Sequence, residues 1–398
     1  MFNEIKEAGV DNLMALMQQF KEDPRTEKVD LVVGVYKNDA GDVPVLDTVK
    51  AAERHLLEEE SSKNYVGVMG DPALAEIMPA LLLGADSPLI AESRVKSLQT
   101  PGGCGALKVG FDFLNTIKPG NRVWVSTPTW ANHIPTIEGA GLTVAQYPYF
   151  RPADRSLDFD AMVSHLSTQA KAGDVILLHA CCHNPTGVDL SLPQWQAITD
   201  LVLEKGLLPF VDCAYQGFGT GLEEDVAGLR HMAARVPEML IASSFSKNFA
   251  IYRERTGALT LMGENATATA NAMKAVVGIV RTNYSMPPSH GARIVTTIMN
   301  DPDLKAKWLV ELEEMRSRIA GNRATLRKKL EERQVGADIS FLTDQTGMFS
   351  YTGFNPDQVK RLREEFGIFT AGDGRINVAG LSSGNMDMVA EGFAAILR

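Results

Sequence analysis

Apolar positions in this chain follow two spacings, and the switches between them mark out its elements. Near the start, Leu13, Leu16, Met17 and Phe20 share one helical face, which predicts a helix over 11–21. A strand-like apolar run follows at 31–36, with a turn expected near Gly41. Helices are expected over 48–60 and 73–83, the second opened by Asp71-Pro72. In the middle, short β-branched runs at 122–126, 175–179, 208–211 and 239–242 alternate with helical stretches such as 158–169 and 193–205. That alternation predicts an α/β unit, a mainly parallel sheet with helices on both faces. From 303 to 333 the pattern is one long, charged amphipathic helix, capped by Asp301-Pro302 or by Asp303. Helices of this kind commonly bridge domains. The remaining residues, 340–398, read as an α+β unit with shorter strands and helices over 356–366 and 386–397. Neither repeats nor a low-complexity linker interrupt the chain. The expected division is an arm and part of a small domain in 1–43, a large domain in 44–305, and the rest of the small domain in 306–398.

Composition narrows the class. A chain of 398 residues exceeds one small core, and its formal net charge of −10 argues against a nucleic-acid partner. No apolar run is long enough for a bilayer, so no membrane partner is expected. The opening MFNEIKEAGV lacks a basic stretch followed by an apolar one, so no signal peptide is expected and the cytoplasm is the expected location. Four cysteines in a chain of this length do not suggest a disulfide framework, and Cys181-Cys182-His183 lacks paired metal-ligand spacing. No metal is expected.

The candidate chemistry lies where the apolar runs end. The run 175–179 closes on His179 and leads into His183-Asn184-Pro185-Thr186-Gly187; the run 208–211 meets Asp212, with Tyr215 just beyond. The third, 239–242, enters Ser243-Ser244-Phe245-Ser246-Lys247, and 122–126 leads to Thr129-Trp130. Open parallel sheets bind ligands outside the carboxyl ends of their strands, so Asn184, Asp212, Tyr215, Lys247 and Trp130 are expected in one crevice. These residue types are what a pyridoxal ring requires. A lysine amine condenses with the aldehyde, an aspartate keeps the pyridine nitrogen protonated, and Trp130 lies flat on the ring. The tyrosine hydroxyl and asparagine amide bond the phenolic oxygen and favour its anion. Gly102-Gly103-Cys104-Gly105, just before a helical stretch, offers backbone N–H groups to a phosphate, with Ser244 and Arg255 completing the seat. The spacing matches neither a P-loop nor GxGxxG. Taken singly, each feature has an ordinary reading: a turn, a cap for Asp212, core packing for Trp130, a solvated charge for Lys247. Their joint placement carries the inference.

The strings 183–187, 212–218, 244–249, 252–257 and 374–380 together resemble the aspartate and aromatic aminotransferases, from Gly34 in Gly-Val-Tyr-Lys to Leu381. That resemblance implies the type I pyridoxal-phosphate (PLP) transferase fold, with a seven-stranded sheet in the large domain, and PLP as cofactor. By position, Lys247 matches the Schiff-base lysine that shuttles the substrate's α-proton. Asp212 matches the pyridine partner, supported by His133 and His179, though a satisfied core histidine is an equal reading of His179. Asn184 and Tyr215 match donors to the phenolic oxygen, and Gly103, Cys104, Ser244, Ser246 and Arg255 match phosphate positions. Arg375 matches the grip on the α-carboxylate, with Gly34, Trp130 and Asn184 also beside substrate. Tyr65 and Arg281 match residues that reach the neighbouring subunit's site, the first to phosphate and the second to a side-chain carboxylate. A homodimer with shared active sites is thereby implied.

The resemblance also implies amino acids and 2-oxo acids as substrates, with 2-oxoglutarate as acceptor in a ping-pong exchange. Three departures bear on the donor. Met286, Val43 and Cys104 stand where aspartate-preferring relatives usually have more polar residues or threonine. The first two make the surroundings more apolar, and changes of this size shift preference by about 1–3 kcal/mol each. Dual specificity leaning to aromatic donors is the expectation, with Arg281 swinging aside for an aromatic ring. The alternatives are a dicarboxylate-specific aspartate aminotransferase and, more remotely, a non-catalytic effector-sensing regulator, which would carry an additional DNA-binding segment.

Overall fold

The computed structural model describes residues 2–4 and 12–398. Asp11, the expected start of the first helix, and the Leu13 side chain lie outside the described residues; that helix runs Asn12–Glu22. The centre is a seven-stranded sheet: β1 (Val95–Pro101), β2 (Arg122–Thr127), β3 (Thr143–Pro148), β4 (Val175–His179), β5 (Leu208–Cys213), β6 (Met239–Ser244) and β7 (Thr256–Met262). Their spatial order is β1-β7-β6-β5-β4-β2-β3. Every neighbouring pair is parallel except the two made by β7, which runs antiparallel to β1 and β6.

Successive strand residues point to opposite faces, so a sheet covered on both sides needs apolar residues at every interior position. Val123, Val125, Val175, Leu177, Phe210, Leu240 and Ala242 pack into one layer with the helices Gly102–Ile117 and Ala266–Asn283. Trp124, Ile176, Leu178, Val211 and Ile241 belong to the opposite layer, with the helices Pro72–Leu83, Leu192–Lys205 and His290–Asn300. The expected α/β sheet with two helical layers is therefore present. Asp71 caps its helix through the N–H groups of Ala73 and Leu74, and Asp301 caps Pro302–Glu332 through those of Asp303 and Leu304.

The helix Pro302–Glu332 joins two apolar clusters. Trp308, Leu312, Met315 and Ile319 belong to the sheet's second layer, whereas Leu326 and Leu330 join Val29, Leu31, Leu342, Ile376 and Phe393 from both parts of the chain.

One expected strand is corrected. Only Val29–Asp30 pairs in a ladder, parallel to Ile368–Phe369, and the run 31–36 forms no strand. Its carbonyls are taken by side chains instead. Asn377 Nδ2 donates to the Val33 and Val35 carbonyls at 2.6 and 2.8 Å, and Arg375 Nη2 to Val32 at 3.1 Å. Backbone groups satisfied this way need no neighbouring strand. The glycine turn also differs from expectation, because the helix begins at Gly102 and takes Gly103 and Cys104 into its first turn.

Gly110 on that helix faces β5 so closely that a Cβ would stand 2.5 Å from Phe210 Cζ. Gly110→Ala gains helix propensity but overpacks the sheet, and we expect a net loss of about 1–3 kcal/mol. Chemical denaturation of the two proteins checks this, and an unchanged or raised midpoint would contradict it.

Candidate active site

The polar residues that follow β2, β4, β5 and β6 meet outside the strands' carboxyl ends. Asp212, next to last in β5, lies in register with His179 on β4 and Ala242 on β6 at the sheet's carboxyl edge. Because β7 is antiparallel, its start lies at the same edge. Thr256 is level with Pro101 and Gly257 with Ser244, which brings Arg255 beside the helix start at Gly102. One cavity of about 240 Å³ is lined by Gly103, Cys104, Trp130, Asn184, Asp212, Tyr215, Ser244, Ser246, Lys247 and Arg255. Ten of the residues expected at the site thus converge, and His179 lines the same space.

Behind Asp212 stands a buried histidine relay. His133 Nε2 lies 3.0 Å from Asp212 Oδ2, its Nδ1 lies 2.8 Å from Thr129 Oγ1, and its ring meets that of His179 edge-on at 5.2 Å. Burial opposes ionisation of Asp212, but the hydrogen bond with His133 and the nearby Lys247 outweigh it and hold the carboxyl below its ordinary value. Burial drives the His179 imidazole down to about 3, so this ring is neutral. Tyr215 is pushed well up by burial and keeps its phenolic proton.

Half-buried Lys247 lies 4.8 Å from the centroid of the Tyr215 ring. Burial lowers its pKa to about 8, aided by Arg255 and opposed by Asp212. An ordinary lysine is almost entirely protonated at pH 7, and the lowered value shifts Lys247 toward the free amine. Competitive acetylation of the cofactor-free protein should therefore show Lys247 labelling rise with pH through an inflection near 8. An inflection at the ordinary lysine value, near 10.4, would contradict the lowered pKa.

The opposite wall brings the helix start at Gly102 and Gly103 beside Ser244 and Arg255. Gly102 has φ +72°, a backbone that favours glycine; a Cβ there would stand 2.5 Å from Arg255 Nη2, and one on Gly103 would stand 3.0 Å from Ser244 Cβ, so the glycines let the helix start lie close to these groups. Ser244 Oγ donates to Ser246 Oγ at 3.1 Å, and Arg255 Nη1 donates to the Tyr252 carbonyl.

The remaining predicted residues lie outside the cavity wall. Arg375 reaches Asn184 Oδ1 at 3.2 Å, and its guanidinium lies 4.5 Å from the Phe349 ring; its buried Nε has no partner among the described residues. Gly34 packs on that same ring, where a Cβ would come within 2.6 Å of Phe349 Cζ. Tyr65, 89% exposed, and Arg281 sit in a separate surface cleft with Gly67, Val68, Ser285 and Met286. Val43 is exposed. Phe349 was not foreseen, since nothing local to Gly347-Met348-Phe349 signals a site; it is found only through Arg375 and Gly34.

Cys181, Cys182 and Asp225 also cluster. Asp225 is already committed to the N–H groups of Gly217, Gly219 and Thr220, and both nitrogens of His183 are engaged by Ser126 and Thr186.

The model of the family "Aminotransferase class I and II" matches residues 26–393. An aspartate aminotransferase of Salmonella typhi is 47% identical over all of both chains. An aromatic-amino-acid aminotransferase of Pseudomonas aeruginosa is 44% identical over 99% of this chain and 98% of its own. A crystal structure of the Burkholderia pseudomallei aromatic-amino-acid aminotransferase, covalently bound to pyridoxal phosphate, superposes with a TM-score of 0.98 at 43% identity, covering both chains completely. A cavity assembled from those strand ends, in a chain matched almost end to end, belongs to a class I and II aminotransferase.

Proposed function

We propose that this chain is a PLP aminotransferase that exchanges amino groups between aromatic amino acids and 2-oxoglutarate and also accepts aspartate and glutamate. The observation that carries the reading is the meeting of Lys247, Asp212, Tyr215 and Asn184 in one cavity, with Arg375 bonded to Asn184. The residues fit the cofactor: an ionised carboxylate with a histidine behind it faces an anion seat built from glycines, two serines and an arginine. Relatives of both names share similar identity with this chain and lend support to both donor classes.

Bound there, PLP supplies an aldehyde for amines and a ring that takes up the electrons of the substrate's α-carbon. Lys247 is the attachment point, and its lowered pKa suits an amine that accepts the α-proton and returns it. Asp212 holds the ring nitrogen's proton, while Tyr215 and Asn184 donate to the phenolic oxygen and Trp130 covers the ring. Gly103, Cys104, Ser244, Ser246 and Arg255 hold the phosphate. Arg375 grips the α-carboxylate beside Gly34.

Tyr65 and Arg281 serve the site of a second copy in a homodimer, supported by their exposure in a shared cleft apart from Lys247. Arg281 donates to Ser285 Oγ at 2.6 Å, which gives its charge a polar partner when no side-chain carboxylate is present. Met286 in the same cleft adds apolar surface for an aromatic side chain. The 44–305 and 1–43 plus 306–398 division is supported by the third apolar cluster. A cytoplasmic location agrees with four free cysteines.

Glutamate formation from 2-oxoglutarate tests the reading. Phenylalanine, tyrosine and aspartate should each serve as donor, with parallel double-reciprocal plots. Turnover of aspartate alone would leave the dicarboxylate-specific alternative, and no glutamate from any donor would refute the proposal.

A further inference from the structure

The helix Pro302–Glu332 carries Arg323 into the interior, where it is 4% exposed. Among the described residues no carboxylate pairs with it. Its guanidinium donates to neutral oxygens of one short segment: to the Leu342 carbonyl at 3.0 Å, Ser350 Oγ at 2.7 Å, the Gly347 carbonyl at 2.8 Å and the carbonyls of Thr346 and Phe349. Burying a cation with no carboxylate in direct contact is costly even with Asp189 acting on it at longer range, and an apolar side chain would fill the space at lower cost. What the guanidinium achieves is to hold the 342–350 segment in one conformation.

That segment touches both sides of the site. On one side the Phe349 ring packs under the Arg375 guanidinium and against Gly34. On the other, the Thr346 N–H donates to the Gly187 carbonyl at 2.6 Å and its hydroxyl to Asp189 Oδ2 at 2.7 Å. Asp189 in turn accepts the N–H groups of Cys182 and His183, the turn that presents Asn184. Asn184 and Arg375 then meet each other, closing a ring of contacts whose anchor is Arg323.

We propose that Arg323 is a positioning residue for carboxylate recognition: its grip on the 346–350 carbonyls fixes Phe349 beneath Arg375 and, through Thr346 and Asp189, fixes the Asn184 turn against the same guanidinium. The inference rests on the reading of Arg375 as the ligand of the substrate's α-carboxylate. Lysine keeps the charge but not the planar fork, so it cannot hold these acceptors together. Misplacement of about 1 Å at a reacting centre costs up to about 100-fold.

The test is binding of 3-phenylpropionate, a carboxylate that cannot react, to the holoenzyme. In Arg323→Lys we expect its Kd, and the KM for phenylalanine, to rise about tenfold or more. Cofactor affinity should change much less than carboxylate affinity, because Lys247, Asp212, Ser244 and Arg255 lie on other segments and Asn184 alone links this network to the cofactor cavity, and kcat should fall less than KM rises. Thr346→Val, which removes the hydroxyl bonds to Asp189 and to the Gly187 carbonyl but keeps the Thr346 N–H bond, should show a smaller rise in the same Kd and serves if the lysine variant folds poorly. Arg375→Ala is the control. If it binds 3-phenylpropionate like the parent, the reading of Arg375 fails. If it loses binding while both other variants bind like the parent, the Arg323 inference is overturned. A parallel loss of cofactor and carboxylate affinity in Arg323→Lys would also overturn it, marking Arg323 as structural only.

Discussion

Lys247→Ala should lower transamination by about 10⁴-fold or more while the protein stays folded and still holds PLP. The lysine is asked for two things that no neighbour duplicates: a covalent attachment and a base that carries the α-proton. Positioned proton transfer alone contributes about 10²–10⁴-fold, and losing the covalent route adds to that. Around Lys247 the other titratable groups are unsuited to replace it. Tyr215 is held protonated by burial, Asp212 is tied to His133, and Arg255 is turned to the Tyr252 carbonyl. Cofactor binding should survive because the anion seat and the Asp212–His133 pair do not depend on the lysine. Steady-state assays with phenylalanine and 2-oxoglutarate, alongside dialysis to measure retained cofactor, check both halves. Near-normal turnover would remove Lys247 from the mechanism.

Arg281→Leu should separate the two substrate classes. We expect dicarboxylate turnover to fall roughly a hundred- to a thousandfold, the scale set by removing one partner from an enclosed, hydrogen-bonded charge pair at about 2–5 kcal/mol. Phenylalanine's half-reaction should change by less than about threefold, since an aromatic side chain offers no carboxylate and Ser285 already accepts from Arg281 at 2.6 Å. The measurement is kcat/KM for aspartate and for phenylalanine in separate half-reactions. Equal losses would show that Arg281 is structural, and no loss for either would show that it never reaches a site. As Arg281 lies in a cleft apart from Lys247, the result also bears on the proposed dimer.

The strand ends were legible because a parallel sheet imposes a simple rule. Asn184, Asp212, Tyr215 and Lys247 each follow an apolar run, and the chain must deliver them to one edge. Cap residues were legible for a local reason too, as Asp71 and Asp301 show. The 31–36 run misled because its apolar spacing says nothing about where its carbonyls go; they go to Arg375 and Asn377, more than 340 residues away. The antiparallel placement of β7, which brings Arg255 to the anion seat, is likewise a property of pairing partners and not of local pattern. Phe349 and Arg323 were invisible for the same cause. A phenylalanine reads as core and an arginine on a charged helix reads as solvated until the fold places one beneath Arg375 and buries the other. The location of Tyr65 and Arg281 is the counterpart, two side chains that the fold leaves in an exposed cleft apart from Lys247.

A PLP site open to both aromatic and dicarboxylic donors should be carried through one half-reaction by either class alone. The most direct test is to mix the pyridoxal form of the holoenzyme with phenylalanine and, separately, with aspartate, with no oxo acid present. Loss of the cofactor's absorbance is then followed over a single turnover. We expect complete conversion by both donors, with phenylalanine comparable to aspartate or faster. A phenylalanine reaction slower by several orders of magnitude would contradict it and leave a dicarboxylate-specific enzyme.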